Sequence, residues 1–158
     1  MPKESDFVYE LVKFYNKFSY TFFHRTHGGI YNSIAGLPDI LGCFHGRFVG
    51  VECKHFPLPK KDSTTLNLQG SLTLKQLDIL NKIDLADGVS RIAFLIKNED
   101  YIQWFTLEEL RICEYNAGQF RQKIKENPAH FNQKDPFPTI NSWKLLKKLN
   151  KNMGFPPQ

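Results

Sequence analysis

Along this chain the period of apolar and polar positions changes several times, and each change marks an element. From about Ser5 to Phe18, apolar residues fall at Phe7, Val8, Leu11, Phe14, Tyr15 and Phe18, the spacing of a helix with one buried face, with Ser5 or Asp6 as its cap. Tyr20 to Arg25 is aromatic and β-branched and predicts a first strand, closed by a polar turn at Thr26-His27-Gly28-Gly29. Ile40-Leu41-Gly42-Cys43-Phe44 and Arg47-Phe48-Val49-Gly50-Val51 then read as two short strands around a turn at His45-Gly46. Ile40, Phe44, Val49 and Val51 make the second face of this hairpin apolar, so both surfaces are largely apolar and the strands belong inside a covered sheet.

From His55 to Ser71 the pattern lapses into Pro57, Pro59, Lys60-Lys61 and a Ser/Thr/Asn-rich run, which predicts a long, mobile, basic loop. Thr73-Leu74-Lys75-Gln76 has the form of a capping box and opens a helix with Leu77, Leu80 and Ile83 inward and Gly88 as its stop. Arg91 to Ile96 and Tyr101 to Phe105 are strands joined by a turn at Asn98-Glu99-Asp100, and Thr106 with Glu109 caps a further helix through Leu110 and Ile112. The order predicts an α/β domain with a mixed central sheet flanked by helices. The 158 residues fit one compact unit, with a core over 1–117. Residues 118–158 are polar, Lys/Asn/Gln-rich and broken by Pro128, Pro136 and Pro138; they read as a basic C-terminal extension docked on that core. Within it, Trp143, Leu145, Leu146 and Leu149 among Lys144, Lys147, Lys148 and Lys151 predict a short basic amphipathic helix, with a DNA-contacting or partner-binding arm as the alternative to docking.

The hairpin also carries the candidate chemistry. Pairing symmetric about His45-Gly46 sets Phe44 opposite Arg47, Leu41 opposite Gly50 and Asp39 opposite Glu52. Directly opposed residues have Cβ atoms roughly 4.5 to 5.5 Å apart, where two carboxylates repel unless a cation joins them. Alternation puts Lys54 on the face of Glu52 and turns Cys53 away, so Asp39, Glu52 and Lys54 converge on one patch. Hard oxygen ligands beside an ammonium suit Mg²⁺ or Mn²⁺ and a phosphate better than zinc. His24 and His27 lack a third soft ligand for zinc and read as phosphate contacts or strand-end packing.

Composition narrows the setting without deciding it. A net charge of +5 and a pI near 9.1 suit a polyanionic partner but do not establish one. Cys43, Cys53 and Cys113 form no Cys-x-x-Cys pair, which favours a reducing, intracellular setting. Met-Pro-Lys-Glu-Ser-Asp lacks the apolar stretch of a signal peptide, and no run approaches a membrane span. The expectation is a soluble cytoplasmic protein, or a nuclear one if its source has a nucleus.

Pro38-Asp39 followed by Glu52-Cys53-Lys54 resembles the PD-(D/E)xK nuclease signature. Its surroundings, Arg25-Thr26-His27-Gly28-Gly29, Gly36-Leu37-Pro38-Asp39-Ile40, Val51-Glu52-Cys53-Lys54 and Leu72-Thr73 with Gln76, are similar to the virus-type replication-repair (VRR) nucleases and more distantly to the archaeal Holliday-junction resolvases. The similarity spans roughly Ser5 to Phe105. It implies a restriction-endonuclease-like core and a divalent ion, Mg²⁺ or Mn²⁺, held by Asp39, Glu52 and the backbone carbonyl of Cys53. Lys54 would orient the attacking water or offset the charge of the transition state; two neighbouring carboxylates favour the ammonium, so the electrostatic role comes first.

The families also carry an acid on the first helix, for which Glu4, Asp6 and Glu10 are candidates and Glu10 is preferred, and a glutamine that Gln76 matches. An ordinary solvated helix acid and a capping-box glutamine are the plainer readings of the same residues. Arg25, Lys60, Lys61 and Lys75 lie in segments near the predicted site and are candidate contacts to a phosphate backbone, although a solvated loop would look the same. The resemblance implies a structure-specific DNA endonuclease of replication, recombination or repair, with a four-way junction as the sharpest substrate and a homodimer in that case. A restriction-type enzyme or an exonuclease of the same fold, and an inactive nucleic-acid-binding module, are the alternatives; the module is disfavoured because Asp39, Glu52 and Lys54 are all present.

Overall fold

The computed structural model describes residues 2–26, 34–127, 129–132 and 137–152. Helix α1 (Glu4–Tyr15) buries Phe7, Val8, Leu11, Phe14 and Tyr15, the stripe the sequence predicts. Its cap is Lys3, one step before the expected Ser5 or Asp6; Asp6 sits in the first turn and accepts the Lys3 backbone N–H at 2.9 Å. The turn expected at Thr26-His27-Gly28-Gly29 lies outside the described residues from His27 onward.

Strands β1 (Thr21–Arg25), β2 (Ile40–Phe44), β3 (Arg47–Phe56), β4 (Val89–Ile96) and β5 (Tyr101–Phe105) form one sheet in that order. All neighbours are antiparallel except β3 and β4. A parallel step needs a crossover, and α2 (Leu74–Leu85) lies within it, capped reciprocally by Thr73 and Gln76. The result is the expected α/β class, a mixed sheet flanked by helices. His45 and Gly46 have φ of 50° and 77°; a turn with both central residues left-handed matches the twist of its strands, which fixes the register Phe44↔Arg47, Leu41↔Gly50, Ile40↔Val51.

Alternation sorts the sheet into two cores. One face carries Ile40, Val49, Val51, Cys53, Ala93 and Leu95 against α1. The other carries Ile92, Phe94 and Ile96 among Leu58, Leu72, Leu80 and Leu107, the last from α3 (Leu107–Ile112). Because β3 is ten residues long and β2 only five, β3 overhangs its partner from Glu52 to Phe56.

Residues beyond Gly118 contribute side chains to both cores. Helix α4 (Ala117–Glu126) opens on a reciprocal Asn116–Gln119 cap, and Phe120 is fully buried. The short pair β6 (Phe131–Asn132) and β7 (Thr139–Ile140), with α5 (Trp143–Lys151), seals α1: Phe137, Ile140 and Leu146 are buried, and the Tyr15 hydroxyl donates to Pro138 O at 2.7 Å. The segment expected as a mobile loop is fastened down. Leu58 exchanges hydrogen bonds of 2.8 and 3.0 Å with the Asn98 side chain, Leu66 N–H donates to Tyr115 O, and Leu58, Leu68 and Leu72 are buried.

Candidate active site

The overhang of β3 leaves backbone groups past the end of β2 without a strand to pair with. Asp39, one residue before β2, fills part of that gap: its Oδ2 accepts the Cys53 N–H at 2.8 Å, while its own carbonyl accepts Thr26 N–H at 3.0 Å. In a strand the N–H and C=O of one residue project to the same edge, so the Cys53 carbonyl lies on the Asp39 side as well. The Cys53 side chain goes the other way, into the α1 core at 0% exposure. A peptide group and a carboxylate therefore meet at an open sheet edge.

Glu52 supplies the second carboxylate, on the face that β3 shares with Lys54 and Phe56. It is 1% exposed. Its Oε1 accepts from Gln76 Nε2 at 3.1 Å and lies 3.6 Å from Lys54 Nζ. Its Oε2 is buried with no hydrogen-bond partner. Burial, then the charge of Asp39, push the Glu52 carboxyl up to about 9, with Lys54 pulling it down. Two ionised carboxylates cannot donate to each other, so Oε2 is an orphan only in the charged pair; a proton on either acid lets it bridge to the other.

Gln76 serves two purposes at once. Its Oε1 accepts Thr73 N–H at 2.9 Å, completing the cap of α2, and its Nε2 is thereby aimed at Glu52. The helix reaches the site because Gly36, at φ +86°, lets the chain turn directly under it; a Cβ there would stand 2.8 Å from Lys75 Cβ.

The acid on α1 is where sequence and structure part. Glu10, the preferred candidate, is turned to α5, where its Oε2 accepts from Asn150 Nδ2 at 2.5 Å. Asp6 is occupied by the helix cap. Glu4 is the residue facing the site: its Oε2 lies 3.7 Å from His55 Nε2, burial raises its carboxyl, and Lys54 and Asp39 are close enough to act on it. At the level of Glu10 the helix faces α5, whereas Glu4, in the first turn, stands beside His55 of β3. His55 is a further residue brought beside the site, and its one signal in the sequence is adjacency to Lys54.

Of the candidate backbone contacts, Lys75 stands exposed on the first turn of α2 beside the Gly36 corner, and Arg25 is the exposed last residue of β1. Lys60 and Lys61 are exposed next to Asp62, which pairs with Arg121 of α4. His27 lies outside the described residues. Among the described residues no three His, Cys, Asp or Glu side chains gather as a metal cluster, so this site would offer an ion two carboxylates and a peptide oxygen and leave its other positions to water and phosphate.

No family model matches the chain, and no curated protein matches it. Among solved structures it is similar to Hjc, a Holliday junction resolvase from the archaeal hyperthermophile Archaeoglobus fulgidus, at 18% identity and a TM-score of 0.43, over 72% of this chain and 81% of that one. Among the described residues no helix is long and apolar enough to cross a membrane.

Proposed function

We propose that this chain is a PD-(D/E)xK nuclease with a restriction-endonuclease-like core, a divalent-metal-dependent endonuclease that hydrolyses phosphodiester bonds of branched DNA. The observation that carries this reading is the convergence at the open edge of β3 of Asp39, held on the Cys53 N–H, and the buried Glu52, whose Oε2 has no partner once both acids are ionised. A carboxylate pair held together at this cost calls for a cation, and its hard oxygen donors fit Mg²⁺ or Mn²⁺. Asp39, Glu52 and the Cys53 carbonyl would hold the ion, with Glu4 supporting from α1. When bound, it would supply Lewis acidity at the scissile phosphate and a nucleophile at neutral pH.

The remaining work falls to the chain. Lys54, with its side chain only 20% exposed, places an ammonium beside Glu52, where it offsets the charge that grows on the phosphoryl oxygens. Gln76 fixes the Glu52 carboxylate against rotation. Lys75 and Arg25, both exposed, would supply contacts to a phosphate backbone. Resolution of a four-way junction needs two such centres in symmetric partnership, hence a homodimer.

The test is incubation with labelled four-way junctions, flaps, single strands and linear duplex in Mg²⁺, Mn²⁺ or EDTA, with Asp39→Ala in parallel. Cleavage of branched DNA that chelation and Asp39→Ala both abolish is expected. Activity that survives either one overturns the site. Paired symmetric nicks would select junction resolution, and incision confined to one arm would exclude it.

A further inference from the structure

Beside Lys54, on the face shared by Glu52 and Phe56, lies a cavity of about 230 Å³. Its walls include Lys54, Phe56, Leu66, Asn67 and Phe94. Phe94, 1% exposed, meets Phe56 edge-on at 6.0 Å, and Phe56 is braced in turn by Phe120. The outer wall is the segment after β3, fixed by the hydrogen bond of Leu66 to Tyr115 and the bridge of Thr65 to Asn116, so the cavity is formed by held elements.

Three properties define its guest. The volume is below the roughly 300–1,000 Å³ of pockets that enclose drug-sized ligands, which limits the guest to one small ring system. Aromatic and aliphatic walls alternate with Asn67, Thr64 and Thr65, so the guest is largely apolar with a hydrogen-bonding edge. None of the described residues lining the cavity is acidic, and the ammonium of Lys54 stands on its rim, so the guest carries negative charge at that end only. A nucleobase has the body and its phosphate the charged end. Phe56 follows Lys54 by two residues, about 6.6 Å along the strand, which sets the cavity next to the phosphate position.

We propose that this cavity receives one unstacked base adjoining the scissile phosphate, so that the enzyme selects DNA in which that base is unpaired or easily extruded. The proposal rests on the reading of Asp39, Glu52 and Lys54 as a phosphodiester-cleaving centre. It supplies a reason for preferring branch points over continuous duplex: extrusion is least costly where a base has already lost its partner.

The experiment has two arms. In Ca²⁺ without cleavage, flap and four-way-junction DNA carrying 2-aminopurine at the branch point is titrated with the protein; a rise in fluorescence is expected as the base leaves its stack, and none with Thr65→Trp, which fills the cavity from an exposed position. In Mg²⁺, an abasic residue on one side of the mapped cleavage site should raise KM about tenfold or more, and Thr65→Trp should raise it similarly for intact DNA. Unchanged fluorescence on binding, absence of binding, or abasic DNA cleaved like its parent on both sides overturns the pocket. The wild-type protein carries the fluorescence and abasic readings even where Thr65→Trp fails to fold. A fluorescence rise without cleavage overturns the nuclease reading and leaves the pocket standing.

Discussion

Replacing Glu52 by Gln should stabilise the metal-free protein at alkaline pH while abolishing its response to Mg²⁺. In the unfolded chain Glu52 ionises near its ordinary value of 4.5, whereas in the fold it ionises at about 9, chiefly because it is buried and then because it faces Asp39. Between those pH values the folded state holds a proton that the unfolded state has released, so stability falls as pH rises. The slope approaches ~1.4 kcal/mol per pH unit, which makes the loss between pH 6 and pH 8 on the order of 2–3 kcal/mol. For a domain of this size that is about 5–10 °C in Tm. Glutamine keeps the bond from Gln76 and can donate to Asp39, so the variant should lack this decline. Thermal melts in EDTA at pH 6, 7 and 8 measure the difference between the two proteins, in which the other titrating groups cancel. Adding Mg²⁺ at pH 8 should raise Tm for the wild type and leave the variant unmoved, since binding to the folded state alone stabilises it. Equal pH slopes, or an equal Mg²⁺ response, would refute the account of Glu52 as a carboxylate held for a cation.

Lys54→Ala should lower the single-turnover cleavage rate at saturating DNA about 10²- to 10³-fold, because Lys54 acts on charge that develops in the transition state. Glu4→Gln should weaken Mg²⁺ binding about 10- to 100-fold in a thermal-shift titration, while Glu10→Gln leaves it unchanged, since only Glu4 faces the site. Leu146→Ala should cost about 2–5 kcal/mol by urea denaturation, and a chain ending at Gly118 should fail to fold, because Leu146 and Ile140 are part of the core that covers α1.

The hairpin needed nothing beyond its own sequence. His45-Gly46 imposes a left-handed turn and the turn imposes the register as far as Ile40↔Val51; the ladder ends there, and Asp39 reaches β3 through its side chain, on the Cys53 N–H, while alternation sets Glu52 and Lys54 on one face. Capping boxes likewise announced α2 and α3 and would have announced α4, since Asn116 and Gln119 have the same spacing as Thr73 and Gln76. These features depend on interactions between residues close along the chain. Only the tertiary structure separates Glu4 from Glu10: both lie on one helix, and packing sets the first beside His55 of β3 and the second against Asn150 of α5. The same holds for the C-terminal residues, whose polar composition hides the few apolar side chains that α1 and the sheet bury. The cavity beside Lys54 likewise exists because Leu58, Leu66 and Thr65 are tied to Asn98, Tyr115 and Asn116, contacts across 40 or more positions of chain that local pattern cannot reveal.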